Sequence, residues 1–164
     1  MKEIKKLLVP TDFSPCSQTA IAYAISFAGQ LNATLLLIYV LEPVGYPIDF
    51  AMIDRPELEE KKKRQALNRV ARSARQKGIE VETRLFRGDP SVEIVREAEN
   101  RHCDLIVMGT HGRKGISHLL MGSVAERVVR TSPVPVVTIR REKGNKPVSQ
   151  TEPLSAANPA ADFG

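Results

Sequence analysis

Three glycines and a serine in the second half of the chain are spaced in a way that suits phosphate binding. Two residues separate Gly109 from Gly112, and nine separate Gly112 from Gly122. Ser123 follows at once. Glycines at the end of a strand let backbone N–H groups approach an anion closely, and they permit positive φ angles. The segment is neither a P-loop nor a dinucleotide-binding GxGxxG motif, so taken alone it favours a phosphate site no more strongly than a glycine-rich loop.

The residues around these glycines could strengthen an anion site. Ser123 is predicted to open a helix, with Glu126 three residues later completing a capping box. A helix N-terminus directs unpaired N–H donors and a partial positive charge outward, which suits phosphate. Arg113 adds a positive side chain to the loop. For His111, contact with a ribose or with solvent is favoured over a role as a catalytic base.

A second polar segment, Thr11-Asp12, follows the first predicted strand. In an open α/β sheet, ligands bind beyond the carboxyl ends of the strands, where the strand order reverses. If the first and fourth strands are neighbours, Asp12 and the Gly109–Gly112 loop flank one crevice. Asp12 could then accept a hydrogen bond from an exocyclic amine or a ribose hydroxyl. Taken alone, an aspartate at this position is better explained by a turn or a helix start.

Apolar runs and helical periodicity alternate along the chain. Strands are predicted at about residues 4–9, 34–40, 79–86, 104–108 and 134–139, and helices begin after Ser14, near Glu57, after Asp89 and at Ser123. This alternation predicts an α/β fold with a five-stranded parallel sheet and helices on both faces. The alternating pattern of residues 79–86 indicates a half-covered strand near a sheet edge. In the third helix, Val92, Val95 and Ala98 are expected to face inward.

The excess of positive charge is concentrated in one segment. The chain has a formal net charge of +5, and residues 57–77 hold eight Lys or Arg against three Glu, which equals the whole excess. The segment has an apolar stripe at helical spacing, so it reads as an amphipathic helix with a solvated basic face. A nucleic-acid surface is the less favoured interpretation, since no aromatic stacking platform is interleaved with the charges.

The composition predicts a cytoplasmic protein with two regions, a folded domain and a C-terminal tail. No apolar run approaches about 20 residues, and the N-terminus lacks a signal peptide pattern, so no membrane partner is expected. Cys16 and Cys103 lack CxxC spacing, which favours two reduced, packed thiols over a disulfide or a metal site. Residues 1–141 are predicted to form one domain. Residues 142–164, rich in Pro, Ala, Ser and Asn, are predicted to be a disordered tail.

Taken together, these segments resemble the universal stress protein family. The similarity is carried by Val9–Ser14, by Asp104–Gly109 and by the Gly109-x2-Gly112-x9-Gly122-Ser123 motif, and it spans residues 1 to about 140 in order. The resemblance implies a flavodoxin-like sheet in the order 3-2-1-4-5. The family contains members that bind ATP and members that have lost the glycine motif, and this chain keeps the motif. The resemblance therefore implies ATP as the ligand, with Mg²⁺ as an accompanying ion.

The same resemblance implies which residues bind the nucleotide. Those expected to hold ribose and phosphates are Gly109, Gly112, Gly122, Ser123 and the backbone N–H of Val124. Those expected around adenine are Pro10, Thr11, Asp12 and Val40. The neighbouring Met108, His111 and Arg113 complete the expected binding set, and no catalytic or metal-ligating residue is assigned. A hydroxyl residue often follows Val124 in ATP-binding members, but here that position is Ala125.

The resemblance also implies a homodimer, formed by antiparallel pairing of the last strand, Val134–Ile139. Three functions follow from these observations. The favoured one is an ATP-binding stress-response protein that acts as a sensor or regulator on an unidentified protein partner. The second is a slow ATPase or phosphotransfer enzyme, and the third is a nucleic-acid-binding protein.

Overall fold

The computed structural model describes residues 3–43, 56–112 and 121–140. Within them, five β-strands alternate with four α-helices. The strands are β1 (Lys6–Pro10), β2 (Thr34–Leu41), β3 (Val81–Arg87), β4 (Leu105–Gly109) and β5 (Val136–Ile139). The helices are α1 (Pro15–Leu31), α2 (Pro56–Gln76), α3 (Pro90–Asn100) and α4 (Ser123–Thr131). No helix in these three ranges is long and apolar enough to cross a membrane.

The five strands form one parallel sheet in the order β3-β2-β1-β4-β5, which confirms the predicted fold class and strand order. β1 lies at the centre, where Leu8 is in register with Leu36 of β2 and with Ile106 of β4. β3 and β5 are the edge strands, as the alternating pattern of residues 79–86 predicts for β3. The strand order reverses between β1 and β4, so a crevice is expected at their carboxyl ends.

Each face of the sheet has its own apolar core. Successive side chains of a strand point to opposite faces, so a strand covered on both sides reads as a continuous apolar run. In β1, Leu7 and Val9 join the core under α1 and α2, whereas Leu8 joins the core under α3 and α4. All three side chains are buried. The central strands are therefore fixed from both faces, and their ends are rigid supports for the loops that follow.

The face that α3 turns inward agrees with the prediction in part. Ala98 is fully buried in the core as predicted, and Val95 packs half-buried against that core. Val92 is 54% exposed, so its predicted inward position is wrong, and Ile94, one helical turn before Ala98, occupies the core.

Two buried glutamates, Glu93 and Glu97, extend the inner face of α3. Glu93 pairs with Arg96 of the same helix, and Glu97 pairs with Arg101, the residue that caps its C-terminus. The prediction failed at Val92 because only apolar residues were used to choose the side of the helix that faces the core. In the structure, the paired carboxylates of Glu93 and Glu97 occupy part of that buried side.

The start of α4 also differs from the prediction. Gly122, in extended conformation with φ −75° and ψ 155°, is the N-cap, and Ser123 is the first helical residue. The Gly122 carbonyl accepts from the Glu126 N–H at 2.9 Å, while no side chain caps the helix. The expected capping box between Ser123 and Glu126 is therefore wrong. The cause is the Gly122 N–H, which donates to the Thr110 carbonyl at 2.7 Å and fixes the glycine one residue ahead of the serine.

Helix α2 presents a solvated basic face, as predicted. Its inner face buries Leu67, Ala71 and Ala74. On its outer side, Glu60 accepts from Arg64 and from Arg87 of β3, both at 2.8 Å. These two hydrogen bonds hold the pKa of the Glu60 carboxyl below its ordinary value. β5 is shorter than the predicted 134–139, since it begins at residue 136, after the prolines at positions 133 and 135.

Two glycines at helices should respond to alanine with opposite signs. Gly78, just after α2, has a φ of +79°, and a Cβ there meets nothing within 4 Å. Gly78→Ala should lower the free energy of unfolding by about 1–2 kcal/mol, because the left-handed conformation alone opposes it. Gly29→Ala in α1 places its Cβ 3.4 Å from Ile79 Cδ1, an ordinary contact, and should raise that free energy by about 0.5–1 kcal/mol. Urea denaturation measures the free energy of unfolding of both variants. An unchanged midpoint for Gly78→Ala would contradict the left-handed conformation of Gly78 after α2.

Candidate functional site

The chain opens a crevice where β1 and β4 end. The Thr11 N–H donates to the Ile38 carbonyl of β2 at 2.9 Å, which continues the pairing of β1 toward that side. The Thr110 N–H donates to the Ile139 carbonyl of β5 at 3.0 Å, which continues the pairing of β4 toward the opposite side. The two central strands thus part at their carboxyl ends. The loops that carry Asp12 and Gly112 begin at this division.

Asp12 and Gly112 meet across the crevice. The Ser14 N–H donates to Asp12 Oδ1 at 2.9 Å, which fixes the carboxylate at the start of α1. A Cβ added to Gly112 would lie 2.7 Å from Asp12 Oδ2, so only glycine allows this approach. The structure therefore brings together the two segments that the sequence placed at one crevice. An acceptor carboxylate and an exposed backbone then lie side by side, an arrangement that suits a ribose and a phosphate.

The loop that carries Asp12 is held by a residue in an uncommon conformation. Phe13 has a φ of +61°, which costs an L-residue roughly 1–2 kcal/mol. The Phe13 N–H donates to Thr11 Oγ1 at 3.0 Å, and its ring stacks on Tyr39 with 5.4 Å between centroids. Lys63 of α2 places its Nζ 5.2 Å from the centroid of the Tyr39 ring. Stacking and hydrogen bonding offset the strain, and left-handed residues of this kind cluster at functional sites.

Gly109 allows β4 to pack directly on the first turn of α1. A Cβ at this position would lie 3.0 Å from both the carbonyl carbon and the Sγ of Cys16. The Cys16 thiol donates to the Ile139 carbonyl at 3.3 Å, so it joins α1 to the end of β5. Both cysteines are free and buried, as predicted. Burial raises the pKa of the Cys103 thiol to about 11, which makes it unreactive at neutral pH.

Gly122 packs against the residues that follow β4. A Cβ there would lie 3.3 Å from the Thr110 carbonyl oxygen and 3.5 Å from His111 Cα. None of the three motif glycines has a φ in the left-handed region, contrary to the conformational role suggested by their residue type. Their function is to permit close approach of backbone to backbone or to a carboxylate. Arg113, a predicted member of the site, lies outside the described residues.

A cleft of about 360 Å³ begins at the start of α4. Ser123 and Val124 line it on the α4 side, Asp89 and Ser91 at the start of α3, and Glu42 after β2. Its size falls within the range of small-molecule sites. Because no side chain caps α4, the first N–H groups of the helix keep their capacity to donate to an anion at this end of the cleft.

The remaining predicted residues differ in how they can contribute. Thr11 and Pro10 are buried, and Val40 is half-buried near the end of β2. The Met108 side chain is 4% exposed within the core under α3 and α4, so only its backbone can face a ligand. The His111 ring is held through Nδ1 by Thr110 Oγ1 at 3.0 Å.

Sequence reasoning missed three contributors to this region. Thr110 joins Cys16, His111 and Gly122, and Phe13 holds the Asp12 loop. The third is Arg127, which bonds to residues at the start of α3. The sequence feature related to Arg127 was its partner Asp89, which was interpreted only as the residue before a helix. Across residues 3–43, 56–112 and 121–140, no group of three or more His, Cys, Asp or Glu side chains is arranged to hold a metal ion.

Comparison with known proteins adds three findings. The sequence profile of the universal stress protein family matches residues 3–140. Universal stress protein MJ0531 of Methanocaldococcus jannaschii is 37% identical over 142 residues, which cover 85% of this chain and 84% of the relative. The solved structure of MJ0577, from the same organism, has a TM-score of 0.71 at 28% identity and covers 87% of this chain and 100% of that one. A universal stress protein in complex with cAMP has a TM-score of 0.66 at 25% identity, over 85% of this chain and 98% of that one.

The close packing at Gly109 predicts that a side chain at this position destabilises the fold. In Gly109→Ala, the new Cβ meets the Cys16 backbone, which cannot turn aside, so the free energy of unfolding should fall by about 1–3 kcal/mol. Gly112→Ala is the matched comparison, because its Cβ meets only the tip of the Asp12 side chain. The loss should therefore be smaller. Thermal and urea unfolding measure both, and equal stability of Gly109→Ala and wild type would contradict the close approach of β4 to α1.

Proposed function

This chain belongs to the universal stress protein family, and we propose that it binds ATP as a cytoplasmic, nucleotide-dependent sensor or regulator. The nucleotide would lie across the carboxyl ends of β1 and β4. The single observation that carries the proposal is the start of α4, whose first N–H groups have no side-chain cap and lie at one end of the cleft. The N-terminus of a helix carries about half a positive charge, which suits a phosphate.

The choice of glycine at position 122 matters for this anion site. An N-cap Asp or Ser would satisfy an N–H donor with its own side chain and would compete with a ligand. Gly122 provides no such group, so Ser123 and Val124 can direct their N–H groups to the phosphates. The Ser123 side chain is exposed and adds a hydroxyl. Gly109 and Gly112 complete the proposed phosphate and ribose contacts, with Arg113 and His111 beside them.

The adenosine end of the ligand would lie on the β1 and β2 side. The Asp12 carboxylate, next to the Gly112 backbone, suits hydrogen bonds from ribose hydroxyls. Pro10, Thr11 and Val40 would surround adenine, with the backbone of Met108 at the end of β4. A relative has been solved in complex with cAMP, which supports an adenine nucleotide as the class of ligand. ATP and its Mg²⁺ are our proposal, and the Asp12 carboxylate has the ligand chemistry that Mg²⁺ prefers.

Binding explains this site better than rapid turnover does. Phosphoryl transfer requires a residue that positions the nucleophile and a clamp of charge on the transferring group. The His111 ring is engaged by its neighbour Thr110 and half-buried, which fits a residue that lines the loop. We therefore propose retention of the nucleotide, with hydrolysis slow at most.

Nucleotide content tests the proposal directly. Protein purified without added nucleotide and then denatured should release ATP or ADP near one per chain, measured by mass spectrometry. Gly122→Val should release none, because its branched side chain, at the N-cap position of α4, would crowd the space in front of the N–H groups that are proposed to bind the phosphates. Val is conformationally allowed at the observed φ of −75°, so the fold should persist in circular dichroism. Gly29→Ala, far from the motif in sequence, is the control and should keep its nucleotide.

Other results of these experiments would contradict specific parts of the proposal. A nucleotide-free wild type that also ignores Mg-ATP in calorimetry would contradict ATP binding. Wild-type affinity in Gly122→Val would contradict the placement of the phosphates. Multiple turnover of ATP with Mg²⁺ would make the chain an enzyme, and steep salt-dependent binding of nucleic acid would favour the third function.

We further propose that β5 forms a homodimer by antiparallel pairing across a two-fold axis. β5 is an edge strand, and its apolar Val136, Val137 and Ile139 are each half-buried. An apolar edge of this kind promotes aggregation unless it is covered. The carbonyls of Pro135 and Ile139 accept from β4, so by alternation Val136 and Thr138 direct their backbone groups to the open edge.

This alternation selects the variant that tests the dimer. Thr138→Pro removes an N–H that points away from β4, so it should block pairing between copies and preserve the pairing within the chain. Light scattering after size exclusion should give a dimer for the wild type and a monomer for the variant. Val137→Pro is the comparison, because it removes an inward bond and should destabilise the fold itself. A dimeric Thr138→Pro would show that the interface lies elsewhere.

A further inference from the structure

An arginine in the second turn of α4 joins that helix to the start of α3 at the cleft. Arg127 Nη1 donates to Asp89 Oδ2 at 2.9 Å and to Ser91 Oγ at 3.2 Å. Ser91 is 3% exposed, and its N–H donates to Asp89 Oδ1 at 2.8 Å. Arg127 therefore lies against a partner that is itself fixed, since Asp89 also caps α3. Both bonds use Nη1, and a guanidinium has further donors on Nη2 and Nε.

Arg127 shares one face of α4 with the proposed phosphate residues. Ser123, Arg127 and Arg130 are spaced i, i+4 and i+7, so they lie on one side of the helix, and all three line the cleft. Four residues advance about 6 Å along a helix axis. The Arg127 guanidinium is held by Asp89 and Ser91 on the α3 side of the cleft, so a ligand bound at the Ser123 N–H must cross part of the cleft to reach it. Three phosphates would span more of this separation than one.

The carboxylates that now pair with these arginines can be replaced by phosphate. Asp89 and Arg127 are each about half exposed, and Arg130 and Glu126, whose N–O distance is 3.5 Å, are each more than 60% exposed. Exposed ion pairs of this kind contribute little to stability. A phosphate presents more negative charge and more acceptors to a guanidinium, and it can bind in bidentate geometry. Exchange of the partner of Arg127 from Asp89 to phosphate is therefore favourable when the outer phosphates are within reach.

We infer that Arg127 distinguishes a nucleoside triphosphate from a monophosphate in this cleft, by exchanging Asp89 for the outer phosphates. The inference rests on the proposed function, since it assumes that the inner phosphate lies at the start of α4. Asp89 is then a competitor of the phosphates for the same guanidinium. Asp89 and Arg127 therefore have opposite effects on affinity for ATP.

Calorimetry with ATP and with AMP tests this inference. Arg127→Gln should weaken ATP binding about tenfold and change AMP binding by less than about twofold, since one charge-assisted contact is lost from ATP alone. Asp89→Asn keeps an N-cap residue on α3 and removes the competing charge, so it should tighten ATP binding several-fold. Arg127→Lys should retain part of the preference for ATP. Arg69→Gln, which removes an exposed positive charge from α2, is the control for net charge and should leave both affinities unchanged.

The possible outcomes distinguish a failure of the Arg127 inference from a failure of the proposed nucleotide site. If Arg127 only joins two helices, Arg127→Gln and Asp89→Asn should both lower the unfolding temperature and shift both affinities in the same direction, which would overturn the inference. If the wild type binds both ligands and Arg127→Gln leaves the ATP-to-AMP ratio unchanged, the inference fails and the nucleotide site stands. If the wild type binds neither ligand, the proposed function itself fails.

Discussion

The parting of β1 and β4 is the constraint on which the rest of the molecule depends. Each strand continues to pair with its outer neighbour for one more residue, through Thr11 on one side and Thr110 on the other. The centre of the sheet is therefore left open at the carboxyl ends of two strands that are buried at all but one residue each. α1 starts on one side of this opening and α4 on the other, on opposite faces of the sheet. Two helix starts and two loops are thus held around one crevice by the most rigid part of the fold.

Close approach, rather than unusual backbone conformation, explains the glycines of the motif. Gly109 meets Cys16, Gly112 meets Asp12, and Gly122 meets Thr110, each at a separation that a side chain would disturb. Three glycines therefore hold three parts of the chain at one place, and the strained residue of the region is Phe13. Its left-handed conformation is held by Thr11 and by stacking on a core tyrosine, so the Asp12 carboxylate is set by the scaffold before any ligand arrives.

The sequence predicted those features that depend on local pattern. Continuous apolar runs indicated the central strands, and the predicted helix after Ser14 matches the start of α1 at Pro15. Val92 was misplaced because buried glutamates share the inner face of α3, and burial of paired carboxylates has no signature in apolar periodicity. Asp12 and Gly112 were placed together because the strand order predicted it. The bonds from Arg127 to Asp89 and Ser91 span more than 30 residues of sequence, so only the packing of α3 on α4 reveals them.

Hydrogen bonds connect the candidate site directly to β5, the strand of the proposed dimer edge. The Ile139 carbonyl at the end of β5 accepts from the Thr110 N–H and from the Cys16 thiol, so the edge strand is tied to the loop that leads to Gly112 and to the first turn of α1. α4 begins at the proposed phosphate site and leads through only four residues into β5. A ligand that moves the start of α4 therefore acts on a short connection to the edge strand. A separate binding pocket and a separate interface would need a long chain of contacts to communicate, whereas here the edge strand β5 is bonded directly to the residue that follows β4 and to the first turn of α1.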